Sequence, residues 1–165
     1  MPVDQQLLDL SAQLGAELKA RGLTLAVAES CTGGMLAQNI TAIAGSSAWF
    51  DCGFVTYSNQ AKIGILKVLS NSLETHGAVS EKVAAELAQG ALIISQANIA
   101  ASITGIAGPD GGTEKKPVGT VCFGFARVGQ LTLTVTHTFT GTRAQIRGLA
   151  VKTCLEYLIT QTLAA

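Results

Sequence analysis

The stretch that most constrains this chain is the apolar run Leu25-Ala26-Val27-Ala28, followed by Glu29-Ser30-Cys31-Thr32-Gly33-Gly34 and a helical pattern from Met35. A short apolar run that stops at polar residues reads as a strand buried on both faces. Two adjacent glycines let the backbone turn sharply before the helix begins. Such a strand–turn–helix unit exposes side chains at the strand's carboxyl end, beside unpaired helix N–H groups. Ser30 is the side chain that this placement singles out. A strand buried on both faces needs cover on both, so the expected class is α/β. It is a three-layer arrangement in which helices flank a mixed, partly antiparallel sheet.

The remaining pattern supports that class. Leu7, Leu10, Leu14 and Leu18 share one helical face and predict a first helix over 4–20, with Gly22 just past its end. A strand over 23–28, a helix over 32–43 and a strand over 49–57 follow, the last interrupted by Asp51 and Gly53. Asn59 is the expected cap of a short helix carrying Lys62, Ile63, Ile65 and Leu66. Residues 70–77 read as loop. Ser80 should cap a long helix whose apolar stripe is Val83, Ala84, Leu87, Ala88, Ala91 and Ile94. A strand over 99–104 runs into a second glycine-rich loop, Gly105 to Gly112. Segments 118–126 and 131–139 alternate around Gly129-Gln130, which signals a hairpin. Thr142 opens a last helix with Ile146, Leu149, Ala150, Cys154, Tyr157 and Leu158 on its apolar face. No repeat or linker divides the chain, so a single domain is expected over 1–165.

Composition excludes several classes. Hydrophobic residues make up 48% of the 165 and charged residues 13%, which suits buried strands or a subunit interface. A homo-oligomer, taken as a dimer, is the expectation. Lys+Arg and Asp+Glu both count 11, and no basic stripe points to nucleic acid. No apolar run approaches the roughly eighteen residues of a membrane span. Residues 1–9 are polar and helical in pattern, unlike a signal peptide, so a cytoplasmic protein with no membrane partner is expected. The four cysteines form no C-x-x-C pair and only two histidines accompany them. Neither a zinc site nor a disulfide framework is expected, and Cys52, Cys122 and Cys154 read as buried free thiols.

A serine needs a base to become a nucleophile. His76, in a polar segment, and His137, in an alternating strand, are poor candidates. Lys62 is the alternative, because it lies in the first turn of a helix just after the strand-end residues Thr56-Tyr57-Ser58. The positive end of the helix dipole and burial would both disfavour its charge, although an exposed, solvated lysine is the ordinary case. The N–H groups of Thr32, Gly33 and Gly34 are candidates to hold an oxyanion or a phosphate. The alternative is that both glycines serve packing only. Neither glycine loop matches a dinucleotide or P-loop pattern. Cys31 is a rival nucleophile, since a helix N-terminus lowers a thiol's pKa. Arg143 and Arg147 lie four apart on the last helix, and Arg143 is placed to clamp a phosphate or carboxylate, with an exposed helix face as the plain reading. Tyr57 and Thr104 end strands beside these turns and are candidate lining residues.

Ala28-Glu29-Ser30-Cys31-Thr32-Gly33-Gly34, Gly45-Ser46-Ser47, and Gly53 through Asn59 to Lys62 resemble the C-terminal domain of the competence/damage-inducible protein CinA. Gly77-Ala78-Val79-Ser80, Thr104 through Gly112 and Pro117 through Val121 continue the likeness over nearly the whole chain. Members consisting of this domain alone are similar to nicotinamide-nucleotide amidase, which hydrolyses nicotinamide mononucleotide to nicotinate mononucleotide and ammonia. The resemblance implies a serine–lysine pair, Ser30 and Lys62, and a small-molecule substrate with no metal or cofactor. It implies an oxyanion site of backbone N–H groups near Cys31–Gly34 or Gly105. It further implies that Tyr57 and Thr104 orient the pair or the amide, and that Arg143 meets the phosphate. Two other readings stay open at this point: a non-catalytic nucleotide- or protein-binding module, and a thiol hydrolase using Cys31.

Overall fold

A computed structural model describes residues 4–164, so the first three residues of the polar segment 1–9 lie outside it. The elements run α1 (Gln5–Ala20), β1 (Leu25–Glu29), α2 (Met35–Thr41), β2 (Phe50–Val55), α3 (Asn59–Leu66), α4 (Ser70–His76), α5 (Glu81–Ser95), β3 (Ile99–Gly105), β4 (Thr120–Arg127), β5 (Leu133–Thr138) and α6 (Arg143–Leu163). One five-stranded sheet has the order β2-β1-β3-β4-β5. β1 pairs in parallel with β2 and with β3, while β4 runs antiparallel to β3 and to β5. The expected mixed sheet and its hairpin are both present.

Alternation along the strands divides the core into two faces. Leu25 and Val27 of β1, with Ile99, Ala101, Ile103, Val121, Phe123 and Phe125, face a cluster built with α1, α2 and α6. Ala26, Ala28 and Ala100 face the other way, against Leu66 of α3, Leu73 of α4, and Val83, Leu87 and Ala91 of α5. This second face carries small side chains. A methyl group on Gly124 would collide with the Ala84 carbonyl, to which the Ser102 hydroxyl donates at 2.6 Å. Helix α5 therefore sits close against the sheet.

Several boundaries differ from expectation. α2 starts at Met35, not at residue 32, because Gly33 and Gly34 take positive φ (+58° and +94°) and prolong the turn. Ser58, not Asn59, caps α3: its hydroxyl accepts from Ala61 N–H at 3.0 Å. Residues 70–77, read as loop, form helix α4. Glu86 of α5 accepts from Leu69 N–H and from the Ser72 hydroxyl at the start of that helix, a long-range tie that local polarity does not reveal. Ser80 caps α5 and Thr142 caps α6, as expected, the latter in a reciprocal capping box with Gln145. Ile94 and Leu149, assigned to apolar stripes, are exposed, and Cys52 is half-buried.

Topology fixes where side chains meet. β2 lies on one side of β1 and β3 on the other. The connection leaving β1 runs to α2 on one face, and that leaving β2 runs to α3–α5 on the opposite face. A crevice opens where adjacent parallel strands send their connections to opposite faces, at the strands' carboxyl ends. In register, Glu29 faces Val55 on β2 and Ile103 on β3. Ser30, Thr56–Tyr57 and Thr104–Gly105 thus emerge together at one edge of the sheet.

Candidate active site

The cleft at that edge has a volume of about 280 Å³, and its walls include Ser30, Cys31, Tyr57, Asn59, Lys62, Thr104, Gly105, Asp110 and Arg143. Lys62 is its organising residue. It lies one turn inside α3, and helical side chains tilt toward the helix N-terminus, so its amine reaches back over the segment that enters the helix. Lys62 is only 1% exposed. Its Nζ lies 2.8 Å from the Thr56 carbonyl oxygen, 3.0 Å from the Tyr57 carbonyl oxygen and 3.1 Å from Ser30 Oγ. No carboxylate pairs with it among the described residues.

All three neighbours can accept from the amine, and the Ser30 hydroxyl can also donate. A charged amine would donate to all three; a neutral one would donate to the two carbonyls and leave its lone pair for the Ser30 hydroxyl. Burial disfavours the charged form and holds the Lys62 pKa below its ordinary value, with Cys31 acting the other way.

Burial pushes the Cys31 thiol up to about 11, and the pull of its backbone N–H and of Arg147 does not offset this, which counts against it as a nucleophile. The lowered pKa expected at a helix N-terminus is absent because burial outweighs it. The amides at the start of α2 are moreover capped from inside. The Glu29 carboxylate, 1% exposed, accepts from Gly34 N–H (3.1 Å), Leu36 N–H (3.0 Å) and Ala37 N–H (2.9 Å). Gly33 N–H donates to the Ser30 carbonyl at 3.0 Å. The Gly33 and Gly34 amides, expected to hold an anion, are therefore occupied, and neither they nor Thr32 line the cleft. The N–H groups of Cys31 and Thr32 meet no backbone acceptor among the described residues.

The other expected residues take distinct positions. The Tyr57 backbone serves Lys62, while its phenol, on a 62% exposed side chain, accepts from Arg143 Nη2 at 3.2 Å. Arg143 Nη1 donates to the Gly108 carbonyl at 2.8 Å, which ties α6 to the second glycine loop at the cleft's rim. The Thr104 hydroxyl donates to the Ala78 carbonyl at 2.9 Å, so it braces the wall and does not touch the pair. Gly105 lines the cleft next to it. Two residues that sequence reasoning did not place are Glu29 and Arg147. Arg147 Nε donates to the Cys31 carbonyl at 3.1 Å and its Nη2 to the Thr32 carbonyl at 2.8 Å. The (i, i+4) spacing from Arg143 marked it without giving its target.

The chain is 53% identical over 160 residues to the nicotinamide-nucleotide amidohydrolase PncC of Escherichia coli (strain K12), covering 97% of each. It is 57% identical over 122 residues to a CinA-like protein of Chloroherpeton thalassium, of which that match covers 29%. The crystal structure of the competence/damage inducible protein CihA from Agrobacterium tumefaciens superposes with a TM-score of 0.94 at 42% identity, covering 97% of this chain and 98% of that one. The family model of the CinA C-terminal domain matches residues 7–162, and the chain belongs to that family.

Proposed function

We propose that the protein is a nicotinamide-nucleotide amidohydrolase that works through Ser30 and Lys62. The observation that carries this reading is the buried Lys62 amine, held by two carbonyl acceptors with Ser30 Oγ 3.1 Å away. The name of the Escherichia coli relative supplies the substrate class.

In this reading Ser30 Oγ attacks the carboxamide carbon of nicotinamide mononucleotide while its proton passes to Lys62 Nζ. The carbonyl oxygen becomes an oxyanion, for which the N–H of Cys31, a residue of the cleft wall, is a donor with no backbone acceptor among the described residues. The intermediate collapses as the C–N bond breaks, and Lys62 returns the proton to the departing ammonia. Water then attacks the acyl-enzyme and gives a proton to Lys62. The ester bond to Ser30 Oγ then breaks, nicotinate mononucleotide leaves as its carboxylate, and Ser30 Oγ recovers its proton from Lys62. The two carbonyls that hold Lys62 keep its nitrogen beside the nucleophile in both protonation states. Arg143, on the rim, keeps donor capacity beyond its bonds to Gly108 and Tyr57, which suits a phosphate.

The test is ammonia release from nicotinamide mononucleotide by wild type, Ser30→Ala and Lys62→Ala. Turnover in wild type and a loss of at least about 10³-fold in each variant are expected. Retained activity in Ser30→Ala that disappears in Cys31→Ala would move the chemistry to the thiol. Nucleotide binding without turnover would favour a binding module. If Arg143 meets the phosphate, Arg143→Ala should weaken the mononucleotide more than the riboside.

A further inference from the structure

We propose that Arg147 is a positioning residue of the reaction, its guanidinium clamp on the Cys31 and Thr32 carbonyls setting the aim of the turn that carries Ser30. This rests on the Ser30–Lys62 reading above. The geometry is a two-pronged donor, Nε on one carbonyl and Nη2 on the next, spanning successive peptide groups directly after the nucleophile. A peptide unit is planar and trans, so its C=O and N–H point in opposite directions. Fixing the Cys31 carbonyl therefore fixes Thr32 N–H, which belongs to the same plane. The preceding plane is fixed in the same way, because the Ser30 carbonyl accepts from Gly33 N–H and so orients Cys31 N–H. Among the described residues, these two N–H groups of the turn meet neither a backbone acceptor nor the Glu29 carboxylate.

The rest of the turn explains why such a clamp is needed. Gly33 and Gly34 both sit at positive φ, where no Cβ restrains the backbone. Glu29 holds the turn by its N–H groups at Gly34, Leu36 and Ala37, all beyond Thr32. On the Cys31 and Thr32 carbonyls themselves the arginine is the side chain that acts. Its fixed fork suits two acceptors at once, which a single ammonium does not reproduce.

The experiment compares wild type, Arg147→Met and Arg147→Lys in two assays. One is labelling of Ser30 by an alkyl fluorophosphonate: Ser30 Oγ bonds to phosphorus, the P–F bond breaks, fluoride leaves, and the serine proton passes to Lys62. The other is amide turnover across pH. In Arg147→Met the labelling rate constant and kcat should each fall about 10- to 100-fold, the scale for a misaimed nucleophile or oxyanion donor. KM should stay within about threefold, and the pH midpoint set by Lys62 should not move. The labelling plateau, which counts folded sites, should match wild type; a purely structural role would lower the plateau and leave the rate constant of the surviving sites intact. A labelling rate within twofold of wild type overturns the proposal. If the Met variant does not fold, Arg147→Lys decides: a rate at least about fivefold lower supports the clamp, and one within twofold refutes it. Labelling without amide turnover in wild type would remove the proposed substrate, yet the variant ratio would still decide the role of Arg147. Turnover without labelling leaves the decision to kcat, and failure of both in wild type removes the nucleophile and this role with it.

Discussion

If Lys62 is the base proposed above, Lys62→Met separates two consequences of burying its amine, one chemical and one thermodynamic. Methionine keeps most of the length and apolar volume of lysine, so the packing of the buried stem survives. What it lacks is the nitrogen. Ser30 loses its base, and general-base assistance contributes about 10²- to 10⁴-fold. The Thr56 and Tyr57 carbonyls lose their donor, and unpaired buried acceptors cost about 1–3 kcal/mol each before relaxation. Removing a polar group from a buried site works in the opposite direction. The net expectation near neutral pH is a loss of about 1–3 kcal/mol of stability, with activity reduced far more than that loss explains.

The pH dependence carries the sharper test. Lys62 is lowered in the folded state and ordinary in the unfolded chain. Between those two pKa values the unfolded chain binds one more proton than the native protein. Wild type therefore gains stability with rising pH in that window, with a limiting slope of about 1.4 kcal/mol per pH unit from this group. The gain is complete above the unfolded value, and the penalty for the buried charge is fully present below the folded value. Lys62→Met should lack this slope, so its deficit relative to wild type should widen as pH rises. The kcat/KM of wild type should rise through the same folded-state pKa, because only the neutral amine can accept the Ser30 proton. Denaturant melts of both proteins from pH 6 to 10, set beside the wild-type rate profile, make the measurement. Parallel stability curves across that range would refute the reasoning, since they would show that Lys62 titrates alike in both states.

Three further outcomes follow from the same contacts. Glu29→Gln keeps the shape of the cap but loses its charge, and turns an amide toward donors; a loss of about 2–3 kcal/mol is expected, near 5–10 °C in Tm by calorimetry. Cys31→Ala should keep kcat within about threefold, because a thiol pushed up to about 11 is not a nucleophile near neutral pH; ammonia release checks it. Gly90→Ala would drive a methyl group into the Leu66 carbonyl at the end of α3. It should destabilise by about 1–3 kcal/mol in denaturant melts and, by shifting the helix that carries Lys62, also lower kcat.

The fold was largely legible because its signals are local. The β1 run, the hairpin alternation and the caps at Ser80 and Thr142 depend on residues within a few positions of each other, and each appears where expected. The errors fall where a distant partner decides. Helix α4 looks like loop until Glu86, from the next helix, supplies acceptors to its first turn. Ile94 and Leu149 fit apolar stripes by period, but no element covers them among the described residues. The serine and lysine were identifiable as candidates from strand-end and helix-start positions. That they meet at all depends on β2 and β3 flanking β1 with connections on opposite faces, which no local spacing expresses.

The polar turn after β1 shows the same division more sharply. Two glycines before a helix suggested open N–H groups for an anion, but Gly34 N–H goes to the carboxylate of Glu29, immediately before Ser30, and Gly33 N–H to the Ser30 carbonyl. The Glu29 carboxylate holds N–H groups after the turn while the Arg147 guanidinium holds C=O groups before them, so two charges of opposite sign grip successive stretches of the same segment. A turn fixed this way has little freedom to reorganise when charge develops on a substrate, which is the condition under which backbone donors stabilise a transition state most. Its glycines supply the conformation, and the charges at its two ends supply the rigidity. The sequence therefore shows the flexible part plainly, whereas the stiffening emerges only when α6 folds back over the turn.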